Sequence, residues 1–303
     1  MEFEFFKMHG AGNDFLVVPD PDAVFPVGAD AGANPGSPVR DELVRRICAP
    51  HSGLVCEGLI LMRRRGAPAG SAFQMLFFNP DGSRASMCGN GARCAALCAL
   101  REGWTGASGS FASDAGPVPF EILSGDRSSR TATVRIGMKD VSGVESCGPL
   151  SPEDSRSPCP PDFEPDGTWL VDTGVPHAVR FVDDLRSVDV AACGAFVRFH
   201  SRFPEGANAD FVQIIGPGEI ALRTYERGVE AETPACGTGV TAAAVVAAAL
   251  GKCRPSVAVH VAFGDVLTVD CASCGMDGAH GIFLAGPASF VCRGTLETDW
   301  FAA

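Results

Sequence analysis

The chain has 303 residues, 46% hydrophobic and 20% charged, with a mean hydropathy of +0.14 and a formal net charge of −12. This is a globular composition with room for two domains of ordinary size. The acidic balance argues against a nucleic-acid partner, which needs a basic stripe to meet phosphates, and no apolar segment reaches the roughly 20 residues that span a bilayer.

From the start, residues 3–8 read as a strand and 9–15 as a glycine-rich turn into a second strand at 15–18. Residues 19–38, rich in Pro, Gly and Ala, read as a loop insertion, and 40–48 have a helical pattern. Strands are expected at 59–62 and 73–78, a turn at 79–83, and a helix after Cys88 that stops near Gly103. Strands at 117–123 and 131–136 follow, and then a Pro-, Ser- and Asp-rich stretch, 142–168, that reads as a surface loop. Strands at 169–171 and 178–182 flank a turn at 172–177. Further strands at 211–215 and 220–224 lead to Cys236, a second helix, and strands from 257 onward.

One motif occurs twice. Cys88-Gly89-Asn90-Gly91 and Cys236-Gly237-Thr238-Gly239 each precede an alanine-rich apolar run, and each run stops at a glycine, Gly103 or Gly251. An apolar run ending in glycine reads as a helix with its C-cap. Each cysteine therefore stands at a helix N-terminus, where free N–H groups and the dipole favour a thiolate. The flanking strands and polar turns repeat as well. The expected fold is α/β (α+β), with two pseudo-symmetric domains, each a curled mixed sheet or barrel around a central buried helix. The expected domains are 1–134, joined by returning strands at 288–303, and 135–287, with one thiol from each facing a cleft.

Inverting an amino-acid α-carbon needs a proton acceptor on one face and a donor on the other. A thiol titrates near pH 8.5, so a thiolate and thiol pair is reachable near neutrality, and Cys88 and Cys236 are the candidates. The backbone N–H groups of Gly89, Asn90, Gly237 and Thr238 suit an α-carboxylate. The alternative reading is that both cysteines are buried structural residues. His177 and Glu226, read as lying in turns upstream of Cys236, could set a thiol's ionisation. Asn13, Asn79, Asn90 and Asn208 all fall in glycine- or proline-containing turns. Arg227 could hold a carboxylate bidentately or form a surface ion pair.

The other candidates are weaker. Lys7, Lys139 and Lys252 are the only lysines, and none lies in a convincing Schiff-base site for pyridoxal phosphate. Cys271-Ala272-Ser273-Cys274 lacks two further ligands for zinc and lacks a helix start, so it reads as structural, and no metal is expected. The 13 cysteines follow an acidic, short opening, Met1 to Lys7, without a signal peptide. They read as mostly buried thiols of a cytoplasmic protein.

These motifs in this order resemble the diaminopimelate epimerase family: Met8 to Phe15, Phe78 to Ser83, Cys88 to Cys94, Gly174 to His177, Asn208 to Phe211, Tyr225 to Gly228 and Ala235 to Gly239. The resemblance implies a cofactor-independent isomerase that converts LL-2,6-diaminopimelate to the meso form for lysine and peptidoglycan precursors. Its partners would be a small amino-acid substrate and a second copy in a homodimer. By position, Cys88 and Cys236 would be the acid/base pair, with Cys236 the base for the LL substrate. Asn13, Asn79, Asn208, Glu226 and Arg227 would grip the substrate, with Gly89, Asn90, Gly237 and Thr238 around the reacting carboxylate. Two positions depart from the family pattern: Val175 stands where many members have Asn, and Gly58 where some have Gln. The loops at 19–38 and 142–168 also look longer than the family needs. A two-thiol racemase for histidine or proline, a proton-shifting isomerase of similar fold, and a non-catalytic thiol-rich binding protein are the rival readings.

Overall fold

A computed structural model describes residues 1–27, 38–164 and 166–297. Half of the expected insertion at 19–38, residues 28–37, and the last six residues thus lie outside the described chain. The chain divides into two compact units, Met1–Ile136 with the stretch from Gly286 onward, and Gly137–Ala285. The first holds β1 (Glu2–Gly10), β2 (Asn13–Pro19), α1 (Pro38–Cys48), β3 (Leu59–Arg63), β4 (Gln74–Phe78), β5 (Arg84–Ala85), α2 (Gly89–Arg101), β6 (Ser108–Ser113), β7 (Gly116–Ser124) and β8 (Thr131–Gly137). The second holds β9 (Val144–Ser146), β10 (Thr168–Asp172), β11 (Pro176–Phe181), α3 (Val190–Arg198), β12 (Asn208–Gly216), β13 (Glu219–Glu226), β14 (Ala231–Thr233), α4 (Gly237–Ala249), β15 (Val257–His260), β16 (Val266–Asp270), β17 (Ser273–Gly275) and β18 (Gly278–His280). The last strand, β19 (Phe283–Glu297), contributes to both.

In the first unit, β1 and β2 form a hairpin that pairs Gly10 with Asn13. Its two turn residues, Ala11 and Gly12, have φ of 54° and 80°. A two-residue turn with both residues left-handed matches the strands' own twist. From β2 the chain crosses through α1 to β3, which pairs parallel to β2, and from β4 through α2 to β6, again parallel. Antiparallel pairs β3–β4, β6–β7, β7–β8 and β1–β19, with β8–β19, close a ring of eight strands. The α2 helix touches β1, β2, β3, β4 and β7, and it is buried from Gly89 to Leu100, so it lies inside that ring. Its strands are therefore covered on both faces, which is why β3 is buried throughout and runs apolar from Leu59 to Met62 rather than alternating. Leu16, Val18, Leu59 and Leu61 pack outward against Leu43, Val44 and Ile47 of α1. Ile60, on the opposite face, packs inward against α2 at Gly91.

The second unit repeats this plan. An antiparallel pair, β10–β11, crosses through α3 to β12, parallel to β11; β13 crosses through α4 to β15, also parallel. The pairs β12–β13, β15–β16, β16–β19 and β9–β10 extend the sheet, and a bridge from Val141 to Ala279 joins its ends. The α4 helix touches β10 to β13, β15 and β16 and is buried from Val240 to Ala247. The expected α/β fold, a mixed sheet curled round a buried helix in each half, is what the chain adopts. No helix among the described residues is long and apolar enough to cross a membrane.

Two expectations need correction. The stretch 142–168 is not simply a surface loop: Cys147, Leu150 and Phe163 are buried in a cluster with Phe196, Val197, Phe211 and Tyr225. The Phe163 and Phe196 rings meet edge-on at 4.8 Å, and the Arg180 guanidinium lies over Phe163 at 4.5 Å. Burying these few apolar side chains offsets the cost of ordering a polar segment. The α3 helix, not expected from the sequence, fills the place α1 holds in the first unit. Asp189 caps it by accepting the Ala192 N–H at 3.0 Å, and Val190, Gly194 and Val197 line its buried face. Gly194 is needed there, because a Cβ would fall 2.3 Å from that of Tyr225.

Candidate active site

Cys88 is the N-cap of α2, with extended backbone, and its Sγ accepts the Gly91 N–H at 3.5 Å. The thiol is half-buried, whereas Cys94 and Cys98 on the same helix are fully buried. Burial pushes the Cys94 thiol up to about 12 and holds Cys98 well above its ordinary range, so neither is a nucleophile. The helix ends as expected: Gly103 has φ of 73°, and the Trp104 N–H returns to the Ala99 carbonyl.

Asn90, expected in a turn, is instead in the first turn of α2 and buried. Its Oδ1 accepts from the guanidinium of Arg93 at 2.9 Å, and Arg93 also donates to the carbonyls of Gly89 and Pro287. This buried arginine was not singled out from the sequence, although a charge inside an apolar helical run was the available signal. The tip of the β1–β2 hairpin leans on the same turn, since a Cβ on Gly10 would sit 2.9 Å from the Asn90 carbonyl oxygen. Asn13 thus begins β2 beside Asn90's neighbour Gly10. Asn79 does lie in a turn, where its Nδ2 donates to the Ser83 hydroxyl at 2.9 Å.

Cys236 is the N-cap of α4 and buried, with Sγ 3.2 Å from the Thr238 hydroxyl. The helix dipole does not prevail at this cap. Burial pushes this thiol well above its ordinary range, and the Glu226 and Asp210 carboxylates push it further, against the Thr238 hydroxyl and the Gly239 N–H. Gly239 admits those neighbours: a Cβ on it would lie 2.7 Å from Oδ1 of Asp210 and 3.2 Å from Oγ1 of Thr224.

His177 and Asn208, expected in turns, are strand residues, aligned across the parallel β11–β12 pair. His177 is wholly buried, with Nδ1 2.6 Å from Asp210 and Nε2 3.3 Å from Nδ2 of Asn208. Oδ1 of Asn208 accepts the Arg227 N–H at 2.8 Å. Glu226 is the last residue of β13 and accepts the Thr233 hydroxyl at 2.9 Å. Burial raises its carboxyl above the usual range, with Thr233 and His177 opposing. The Arg227 guanidinium donates to the carbonyls of Glu205 and Gly206. Within the second unit the structure thus gathers Cys236, Thr238, His177, Asn208, Glu226 and Arg227 into one neighbourhood. Asp210, which sequence reasoning left without a role, lies among them; its position two residues after Asn208, on the same strand face, was the signal.

Two further thiol pairs lie elsewhere. Sγ of Cys48 and Cys56 are 3.5 Å apart and buried. Cys274 is drawn down to about 7 by a hydrogen bond from Cys271, whose own thiol is raised. Among the described residues no group of three or more His, Cys, Asp or Glu side chains could hold a metal ion.

The architecture is that of a set of solved racemase, epimerase and isomerase folds. A probable proline racemase from Agrobacterium radiobacter superposes with a TM-score of 0.65 at 16% identity, covering 97% of this chain and 93% of that one. A PhzF-family phenazine biosynthesis protein from Bacillus anthracis gives 0.67 at 14% identity, covering 98% and 99%. The family model described as diaminopimelate epimerase matches residues 5–141 and 169–291. The diaminopimelate epimerase of Aquifex aeolicus is 36% identical over 98% of this chain and 98% of its own. That of Methanothrix thermoacetophila is 36% identical over 98% and 97%. The chain belongs to the diaminopimelate epimerase family, and it is an isomerase.

The raised Glu226 carboxyl has a pH signature. A carboxyl whose pKa is higher folded than unfolded adds stability below the unfolded value and loses it as pH rises through the folded one. Relative to the native protein, Glu226→Gln is therefore expected to gain stability from about pH 4 upward and to show no gain below it, read from urea midpoints across pH. A difference independent of pH would contradict this placement of Glu226.

Proposed function

We propose that the chain epimerises LL-2,6-diaminopimelate to the meso form, a step toward lysine, with Cys88 and Cys236 as an acid/base pair and no cofactor. The observation that carries this reading is the paired placement of the two thiols. Each is the N-cap of a buried helix, so each stands where the first-turn N–H groups of its unit's central helix have no partner within the helix. A thiolate on one face removes the α-proton, leaving electron density that spreads into the carboxylate. A thiol on the other face delivers a proton to the same carbon. The first-turn N–H groups of Gly89 and Asn90, and of Gly237 and Thr238, meet the charge that develops on the carboxylate.

The two units act as domains that contribute one thiol each. Burial and the Glu226 and Asp210 carboxylates favour the thiol form of Cys236. Cys236 is the base on the LL epimer with Cys88 the donor, and the roles exchange on the meso epimer. His177 and Glu226 set this balance, and an ammonium group arriving beside Glu226 would replace the hydration that burial removes. Asn13, Asn79, Asn208 and Arg227 complete the substrate's surroundings. Because Asn79, Asn208 and Arg227 hold hydrogen bonds within the protein, they reach the substrate as pre-oriented groups.

Cys88→Ser and Cys236→Ser should each lower turnover by about 10²–10⁴-fold, the usual worth of a proton-transfer group, with circular dichroism unchanged. A variant carrying both serines that keeps full turnover would contradict the reading. We also propose that the protein is a cytoplasmic homodimer. Light scattering should then give twice the 31.5 kDa chain mass, and a value of one chain mass would refute the dimer.

A further inference from the structure

Behind Cys236 stands a buried carboxylate to which the proposed mechanism gives no step. Asp210 is fully buried in β12. A carboxylate stripped of water is costly unless its oxygens are hydrogen-bonded. In this site Oδ1 accepts the Thr224 hydroxyl at 2.7 Å, and Oδ2 lies 2.6 Å from Nδ1 of His177.

That carboxylate fixes the polarity of the hydrogen bonds beyond it. An ionised carboxylate only accepts, so Nδ1 of His177 must carry the proton. Nε2 is then an acceptor, and the group that meets it is Nδ2 of Asn208, at 3.3 Å. Turning the Asn208 amide over would set its oxygen against the imidazole lone pair. It would also lose the 2.8 Å bond from the Arg227 N–H to Oδ1. One carboxylate thus sets the tautomer of His177, the orientation of Asn208 and, through it, the backbone at Glu226 and Arg227. On its other side, Oδ1 abuts Gly239 in the first turn of α4, three residues from Cys236.

We propose that Asp210 is a positioning residue for the proton-transfer chemistry of Cys236, holding the His177–Asn208–Arg227 chain and the first turn of α4 in one arrangement. The proposal rests on the reading of Cys236 as an acid/base thiol. It assigns Asp210 no contact with the substrate.

The experiment is a double-mutant cycle with Asp210→Asn, His177→Gln and the pair, measuring kcat and KM, with nitrogen NMR of the six histidines in the native protein. If Asp210 acts through His177, each single change lowers kcat/KM by about ten- to a hundredfold, and the double variant is no worse than the poorer single one. The native His177 ring is expected in the Nδ1–H form. Multiplying losses, native kinetics in Asp210→Asn, or a native His177 protonated only on Nε2 would each overturn the proposal. The NMR result stands even if Asp210→Asn does not fold. Cys236→Ser separates the two levels. If it is inactive while Asp210→Asn is native, only the role of Asp210 falls; if it is fully active, the thiol reading falls first.

Discussion

A helix enclosed by a ring of strands can reach water only at its ends, and this constraint organises the molecule. In each unit the chain spends its most apolar helix as the filling of a closed mixed sheet, and almost every side chain on α2 and α4 is buried. Four N–H groups at each helix start have no partner within the helix. Without a partner they would be a liability; facing an anion, they become a place for negative charge. Cysteine as the N-cap is weak at capping compared with serine or aspartate, and α4 gets no side-chain cap bond at all. In the proposed mechanism the cap position serves the proton transfer, at some expense to the helix.

Duplication of the plan does not make the two ends electrically alike. The first turns of α2 include a fully buried guanidinium, Arg93, tied to Asn90 and to the Gly89 carbonyl. The corresponding stretch of α4 has no charged residue and instead abuts the carboxylate of Asp210. A two-base inversion needs unlike partners, one protonated and one not. The unlike residues behind the two helices bias which thiol holds the proton in the proposed chemistry.

The sequence announced α2 and α4 because a cysteine–glycine motif and a glycine mark the two ends of each alanine-rich apolar run, and it announced the mixed sheet curled round each of them because the flanks repeat. What stayed hidden did so for physical reasons. The α3 helix is short and carries a glycine on its packing face, so its buried stripe is interrupted in the sequence although continuous in space. Leu150 and Phe163 are isolated apolar residues in a polar stretch, and only the fold shows that they share a cluster. In the sequence Asn90, His177 and Asn208 read as turn residues because their neighbours are glycine and proline; each belongs to a regular element whose end coincides with that turn. Asp210 was invisible as a functional group because an alternating polar residue in a strand ordinarily faces solvent, and its burial depends on partners 14 and 33 residues away.

The claim on which the rest depends is that inversion uses two groups on opposite faces of one carbon. It is tested most directly by the fate of hydrogen when protiated LL-2,6-diaminopimelate is turned over in deuterium oxide and sampled early. With two thiols, the new meso product carries solvent deuterium at the inverted carbon, while the unreacted LL substrate stays protiated. If the early product retained its original hydrogen, a single group would be carrying the proton across, and inversion by two opposed thiols would be wrong.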